Sequence, residues 1–342
     1  MAQNAGSDKL FGKTLDELKE IAVNLDMPRY AAGQIAGWLY GKGVASPEGM
    51  TDLPLSSRHK LAEYFETGLT PYRNVMVSAD GTKKYLFPAG SGNYVEAAYI
   101  PEKKRNTLCL STQAGCKMGC LFCMTGKQGF QGNLTAGGIL NQLQSIPESK
   151  KVTNIVYMGM GEPLDNLDEL LKSLEILTAD WGFGMSPRRI TVSTIGIMPA
   201  MRELLKRSRC HIAVSLHTPF EHERNDLMPA EKVHPFKKII EELVSDDTSR
   251  QRRVSFEYIM FRGLNDTPAH VRELARILNG IRCRINLIRF HKIPGVPLES
   301  SEPPVMEGFR DALNKKGIIA TIRQSRGEDI NAACGMLSTR TV

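Results

Sequence analysis

From residue 105 onward, short apolar, β-branched runs alternate with longer amphipathic stretches. This alternation limits the possible folds more than any other feature of the chain. The runs at 108–111, 154–158, 190–193, 212–216, 254–260 and 285–290 predict strands. The stretches at 135–145, 167–178, 198–206, 235–244 and 268–278 predict helices. Parallel neighbours need a crossover connection, so repeated strand–helix units imply a parallel sheet. Six such units are too few for a closed eight-stranded barrel and enough for an open one. A last helix at 304–315 and a strand at 318–323 precede an irregular tail.

The preceding residues differ in period. The first ~70 read as short helices joined by turns. Thr14 with Glu17 forms a capping box, and Leu15, Leu18, Ile21, Ala22 and Leu25 line one face of the helix it opens. Further helices are expected near 30–40 and 57–66. Between Val75 and Tyr99 the period falls to two, with antiparallel strands at 84–87 and 94–100. The expected architecture is α/β: a partial (β/α)6 barrel, a small N-terminal helical domain and a short antiparallel extension. The boundaries are 1–72 for the helical domain, 73–104 for the extension, 105–328 for the core and 329–342 for the tail.

Composition excludes several classes. With 42% hydrophobic and 24% charged residues in 342, the chain is neither disordered nor fibrous. No apolar run reaches the ~18 residues of a spanning helix. The opening MAQNAGSDKLFGK lacks the apolar core of a secretory signal. Seven cysteines, an odd number, argue against a disulfide framework and for a reducing, cytoplasmic setting. The sequons at Asn133 and Asn265 are then chance matches.

The chemistry concentrates after the first strand of the series, in Cys116-x-x-x-Cys120-x-x-Cys123. Three thiolates in eight residues can grip one face of an iron–sulfur cluster. A cubane usually takes four, so three leave one iron open. Zinc, or three unrelated buried cysteines, are the competing readings of this spacing. Ligands of parallel α/β proteins sit at the C-terminal ends of the strands. Those ends here carry Gly161 and Glu162, Ser193, Ser215-Leu216-His217, and His291. Gly161 permits close backbone approach, and Glu162 can accept from an ammonium group or ribose hydroxyls. Cys109 lies in the first strand and Cys334 between small residues of the tail; each could also be a small core hydrophobe.

The three-cysteine spacing, with Phe122 before its last member, resembles the radical SAM superfamily. Val95-Glu96, Thr107-Leu108-Cys109, Met158 to Pro163, Ser215-Leu216-His217 and Ala332-Ala333-Cys334-Gly335 occur in the order of the RlmN/Cfr family of RNA adenine methyltransferases. The resemblance spans nearly the whole chain and lies nearer the C2-methylating branch than the C8-methylating one. It implies a [4Fe-4S] cluster on Cys116, Cys120 and Cys123, and two S-adenosylmethionine molecules per turnover. Gly161, Glu162, Ser193, Ser215, Leu216, His217 and His291 would contact S-adenosylmethionine. Cys334 would carry the methyl group as S-methylcysteine, and a 5′-deoxyadenosyl radical would activate it. Cys109 would resolve the adduct through a transient disulfide with Cys334, and Glu96 would accept the C2 proton. Cys210 and Cys283 are left as structural. The implied partners are 23S rRNA, tRNA (next to the anticodon) and a flavodoxin- or ferredoxin-type electron donor, with the chain a monomer and no membrane involved. Two positions depart from common members: His291 stands where many have Asn, and Gly137-Gly138 opens a helix where an acidic residue is usual.

Net charge is +7, and patches of positive charge suit a polyanion or form an ordinary solvated surface. The patches are Lys103–Arg105, the basic residues of 202–209, and Arg282, Arg284 and Arg289 with their neighbours. Residues 1–75, with 8 basic and 9 acidic side chains, are close to neutral.

Overall fold

A computed structural model describes residues 8–245 and 253–339. The start of the opening segment and the last three residues of the expected tail lie outside the described residues. The chain divides into two compact units. One comprises Met1–Tyr72, Leu134–Lys151 and Asp168–Ser186; the other comprises Arg73–Asn133, Val152–Leu167 and Pro187–Val342.

The first unit contains helices α1 (Leu15–Asn24), α2 (Ala31–Ala36) and α3 (Leu55–Tyr64). The capping box at Thr14 is complete: Glu17 N–H donates to Thr14 Oγ1 at 3.3 Å, and Thr14 N–H to Glu17 Oε2 at 2.7 Å. α2 is shorter than its apolar pattern suggests, because the chain widens into a π-helical turn over Gly37–Lys42. Helices α4 (Ala136–Gln144) and α5 (Leu167–Thr178), expected as the first two crossovers, fall almost wholly in this unit. The unusual Gly137 now has a reason. A Cβ there would lie 2.4 Å from Phe11 O, so any larger residue would push the Phe11–Gly12 backbone away. Gly138 meets only ordinary contacts, and nothing in the structure explains it.

The second unit is built on one ten-stranded sheet. Its strands are β1 (Asn74–Val77), β2 (Lys83–Pro88), β3 (Tyr94–Pro101), β4 (Asn106–Cys109), β5 (Asn154–Tyr157), β6 (Ile190–Thr194), β7 (His211–Ser215), β8 (Val254–Met260), β9 (Cys283–Arg289) and β10 (Ile319–Arg323). They lie in sequence order across the sheet. β1 to β4 pair antiparallel, and β4 to β10 pair parallel. The final strand therefore extends the parallel series to seven. β1, not separately expected, is an exposed edge strand whose Asn-Val-Met-Val lacks an alternating pattern. Residues from β3 round to β10 line a single lumen of about 360 Å³, so the sheet curls into an open barrel. Among the described residues no helix is long and apolar enough to cross a membrane.

Candidate active site at the C-terminal ends of the strands

Past β4 the chain enters the loop bearing Cys116, Cys120 and Cys123, which ends at the short helix Met124–Gln128. Backbone bonds fix this loop at several points. Leu121 N–H donates to Leu227 O at 2.9 Å, Cys123 N–H to Cys120 O at 3.1 Å, and Met124 N–H to Gly335 O at 2.8 Å. The third bond joins the cysteine loop to the tail. Phe122 is buried, with its ring 4.7 Å from the His217 ring in an edge-on contact.

One cavity collects the three loop cysteines, Gly161, Glu162, Ser193, Ser215, His217 and Cys334. Most of the residues expected at the strand ends therefore converge. Leu216 and His291 do not line this cavity. The side chain of Leu216 is fully buried, and its carbonyl accepts from the Arg224 guanidinium at 2.7 Å. His291 lines the barrel lumen instead, with Ser325 Oγ 3.1 Å from its Nε2.

Burial is the first influence on the thiols. It pushes Cys116 up to about 12, aided by Glu162, Cys123 and Asp165. Cys120 is held well above its ordinary value by burial and then by Cys123 and Cys116. Without a positive centre beside them these thiols stay protonated.

Glu162 is also buried, and burial raises it to about 7 against its hydrogen bonds. Its Oε1 accepts from Thr194 Oγ1 at 2.5 Å and from Leu164 N–H at 3.1 Å, and its Oε2 from Ile195 N–H at 3.0 Å. The carboxylate thus braces the end of β6 as well as lining the cavity. Gly161 has φ +96°, and a Cβ there would sit 2.5 Å from Gln113 Cβ. The close approach that requires glycine is that of Gln113. His217 accepts from Ile259 N–H at its Nδ1 (3.0 Å), and burial followed by the Arg224 charge lowers it to about 3. The ring is therefore neutral, with its proton on Nε2.

Cys334 lines both this cavity and the lumen, and Cys109, at the end of β4, lines the lumen. All seven cysteines carry free thiols. Burial, then the neighbouring Cys334, pushes Cys109 up to about 12. The sequence reading overlooked Arg323, the last residue of β10, which lines both cavities. Its guanidinium donates to Met158 Sδ at 3.4 Å and reaches Glu257 at 3.8 Å, and Cys334 nearby raises its pKa. The strand-end rule that selected Ser193 and Ser215 would also have found it.

Glu96 lies on β3, 3% exposed, and lines neither cavity. It pairs with Lys84 Nζ at 2.9 Å and accepts from Ser338 N–H at 2.9 Å. Burial raises its pKa against both partners. The third basic patch is split between the two ends of one strand. Arg284 is near the N-terminal end of β9 and Arg289 at its C-terminal end, where it pairs with Glu328 at 2.8 Å. Arg202 and Lys206 each have a carboxylate partner.

A parallel sheet curled into an open barrel, with three cysteines on the loop after its first parallel strand, is the core of the radical SAM superfamily. The model of that superfamily matches residues 110–276. A crystal structure of a radical SAM methyltransferase from Sphaerobacter thermophilus superposes with a TM-score of 0.90 at 38% identity, covering 96% of this chain and 99% of that one. The model of the ribosomal RNA large subunit methyltransferase N-terminal domain matches residues 9–67. A probable dual-specificity RNA methyltransferase RlmN of Parabacteroides distasonis is 56% identical over 97% of this chain and 96% of its own. The dual-specificity RNA methyltransferase RlmN of Syntrophus aciditrophicus is 40% identical over 96% of each. The chain belongs to the RlmN family. Membership of the radical SAM superfamily carries S-adenosylmethionine and an iron–sulfur cluster with it.

Proposed function

We propose that the chain methylates C2 of adenosine in 23S rRNA and in tRNA next to the anticodon. The observation that carries this reading is that Cys334 lines the cavity that Cys116, Cys120 and Cys123 also line. The likeness to dual-specificity RNA methyltransferases supports RNA as substrate, and their RlmN name favours C2 over C8.

Cys116, Cys120 and Cys123 hold a [4Fe-4S] cluster in this reading. All three line one cavity, and cysteine thiolates are the usual ligands of such a cluster, each on its own iron. Cluster and S-adenosylmethionine together supply a 5′-deoxyadenosyl radical, with a second S-adenosylmethionine as methyl donor. Gly161, Glu162, Ser193, Ser215 and His217 shape the pocket around that substrate, with Leu216 and His291 contributing from outside the cavity lining.

The remaining work falls to this chain's own groups. C2 of adenine is not nucleophilic, so direct displacement from a sulfonium fails and a carrier is needed. Cys334, beside the Arg323 guanidinium, takes the methyl group as a thiolate nucleophile. The activated carbon adds to C2, the adduct gives one electron back to the reducing system, and Glu96 accepts the C2 proton. The Cys109 thiolate then attacks the Cys334 sulfur, the carbon–sulfur bond breaks, the released methylene carbon takes up a proton to become methyl, and a disulfide remains. Glu96 meets the base once Ser338 gives up its bond to the carboxylate.

In the same reading residues 1–72 help to hold RNA, 73–104 form an extension, 105–328 the catalytic core and 329–342 the carrier tail. A flavodoxin- or ferredoxin-type protein supplies electrons, and the chain acts as a monomer in the cytoplasm, where thiols stay reduced. The test is nucleoside mass spectrometry of RNA treated with the anaerobically reconstituted protein, S-adenosylmethionine and a reductant. We expect 2-methyladenosine; 8-methyladenosine alone, or no methylated adenosine, would overturn the reading.

A further inference from the structure

The barrel lumen adjoins the cavity at the cysteine loop, and Cys334 and Arg323 line both. It runs from the N-terminal ends of the strands, at Thr107, His211 and Arg284, up to Cys109 and Cys334. Its volume of about 360 Å³ suits a small molecule. Both cysteines assigned to the product-releasing disulfide line it.

Its charge is biased. Five arginines line the lumen, and three of them have carboxylate partners: Arg105 with Glu102 at 3.4 Å, Arg323 with Glu257 at 3.8 Å, and Arg326 with Asp80 at 4.0 Å. Arg253 and Arg284, at the mouth, form no ion pair among the described residues. Burial and the charges of Arg284 and Arg105 hold Arg253 below its ordinary value, so the positive charges are close enough to repel one another. Repulsion of this kind is relieved by an anion. The pair lies at the opposite end of the strands from the cysteine loop, so methyl transfer gives it no task.

We propose that the lumen is the entry site for a small anionic thiol that reduces the Cys109–Cys334 disulfide after each turnover, with Arg253 and Arg284 drawing it in. This rests on the roles given to the two cysteines above. One thiolate attacks a sulfur of the disulfide and expels the other cysteine as a thiolate, which takes a proton. A second thiolate attacks the resulting mixed disulfide, frees the remaining cysteine and leaves as the external disulfide. Two thiols are oxidised and the cysteine pair gains two electrons. None of Cys116, Cys120 and Cys123 lines the lumen, so a thiol there reaches the disulfide without passing the cluster cysteines.

The experiment uses the full-length holoprotein under anaerobic conditions, with the disulfide formed by stoichiometric diamide. Loss of the Cys109–Cys334 peptide is followed by mass spectrometry after alkylation. The probes are 2-mercaptoethanesulfonate, 2-mercaptoethanol and cysteamine, compared after correction for thiol pKa. We expect the anionic probe to react about tenfold faster than the neutral one and the cationic probe to be slowest. High salt and the Arg253→Gln/Arg284→Gln variant should shrink the preference to about twofold or less, with RNA affinity and the first turnover unchanged. Charge reversal, as Arg253→Glu/Arg284→Glu, should invert the order. Equal rates for the three thiols, a preference that survives in the variants, or a parallel fall in RNA affinity would overturn the proposal. Failure of diamide or turnover to produce any Cys109–Cys334 peptide would overturn the cysteine roles themselves.

Discussion

The backbone N–H of Ser338 donates to Oε2 of Glu96 at 2.9 Å, joining the C-terminal tail to the third strand of the sheet. Lys84 completes the joint, since its ammonium pairs with Glu96 Oε1 at 2.9 Å and donates to Asn331 O at 3.4 Å. Residues 331 and 338 bracket Cys334, so one buried ion pair fixes both flanks of the carrier cysteine. Gln128 adds a further anchor, its Oε1 accepting from Thr339 N–H at 3.1 Å. The same carboxylate is the proposed proton acceptor. The tail and the proposed base therefore meet at Glu96.

Removing the cation from this joint should be costly. Lys84 and Glu96 are 8% and 3% exposed, and stripping one partner from a buried pair costs about 3–5 kcal/mol. Lys84→Met is expected to lose stability in that range in chemical denaturation and to loosen residues 331–339, read as faster amide exchange. Ser338→Pro removes one hydrogen bond, worth about 1 kcal/mol, and should free the tail without destabilising the sheet. A Lys84→Met protein as stable as the parent, with an equally protected tail, would disprove the joint.

Much of this site can be read from sequence. The rule that polar residues at parallel-strand ends face one pocket placed Glu162, Ser193, Ser215 and His217 together, because strand position alone decides it. Side-chain direction was not so accessible. Leu216 lies just past the end of β7 with its side chain fully buried, while His217 lines the cavity from a left-handed backbone, φ +58°, that strand alternation does not foretell. Glu96 could be located on its strand, but its surroundings depend on a tail more than 240 positions away folding back. Gly137 was opaque for the same reason: the backbone it accommodates belongs to Phe11 and Gly12.

The neutral His217 ring predicts an acid limb to stability. Its folded value is about 3 against an ordinary 6.5. Its contribution is therefore complete above pH ~6.5 and is lost as pH falls toward ~3, while the unfolded chain takes up the proton alone. The loss over that window is on the order of 4 kcal/mol. His217→Asn suits the left-handed backbone and does not titrate. Urea unfolding of the variant should show a shallower decline between pH ~7 and ~4 than the parent. Parallel declines would show that His217 is protonated in the native state.

Metal loading should separate the cysteines into two sets. Replacing Cys116, Cys120 or Cys123 by Ala is expected to reduce bound iron and sulfide at least about tenfold and to abolish the brown colour. Cys210→Ala and Cys283→Ala should load normally, because Cys210 is core and neither lines the cluster cavity. Full iron content in any of the three loop variants would remove that residue from the ligand set.

The two lumen-lining cysteines should fail in different ways. Without the Cys334 sulfur the methyl group has no carrier, so Cys334→Ala should lower adenosine methylation by at least roughly 10³-fold. Cleavage of S-adenosylmethionine and iron content should persist, because the cluster cysteines are intact. Cys109→Ala keeps the carrier and lacks the thiol that attacks it. The base should then stay bonded to Cys334, and labelled RNA should migrate with protein on a denaturing gel. This adduct should be absent from the Cys109→Ala/Cys334→Ala double variant, which shows that position 334 carries the bond. Free methylated RNA from Cys109→Ala at the parental rate would exclude a resolving role for Cys109, whatever its distance from Cys334.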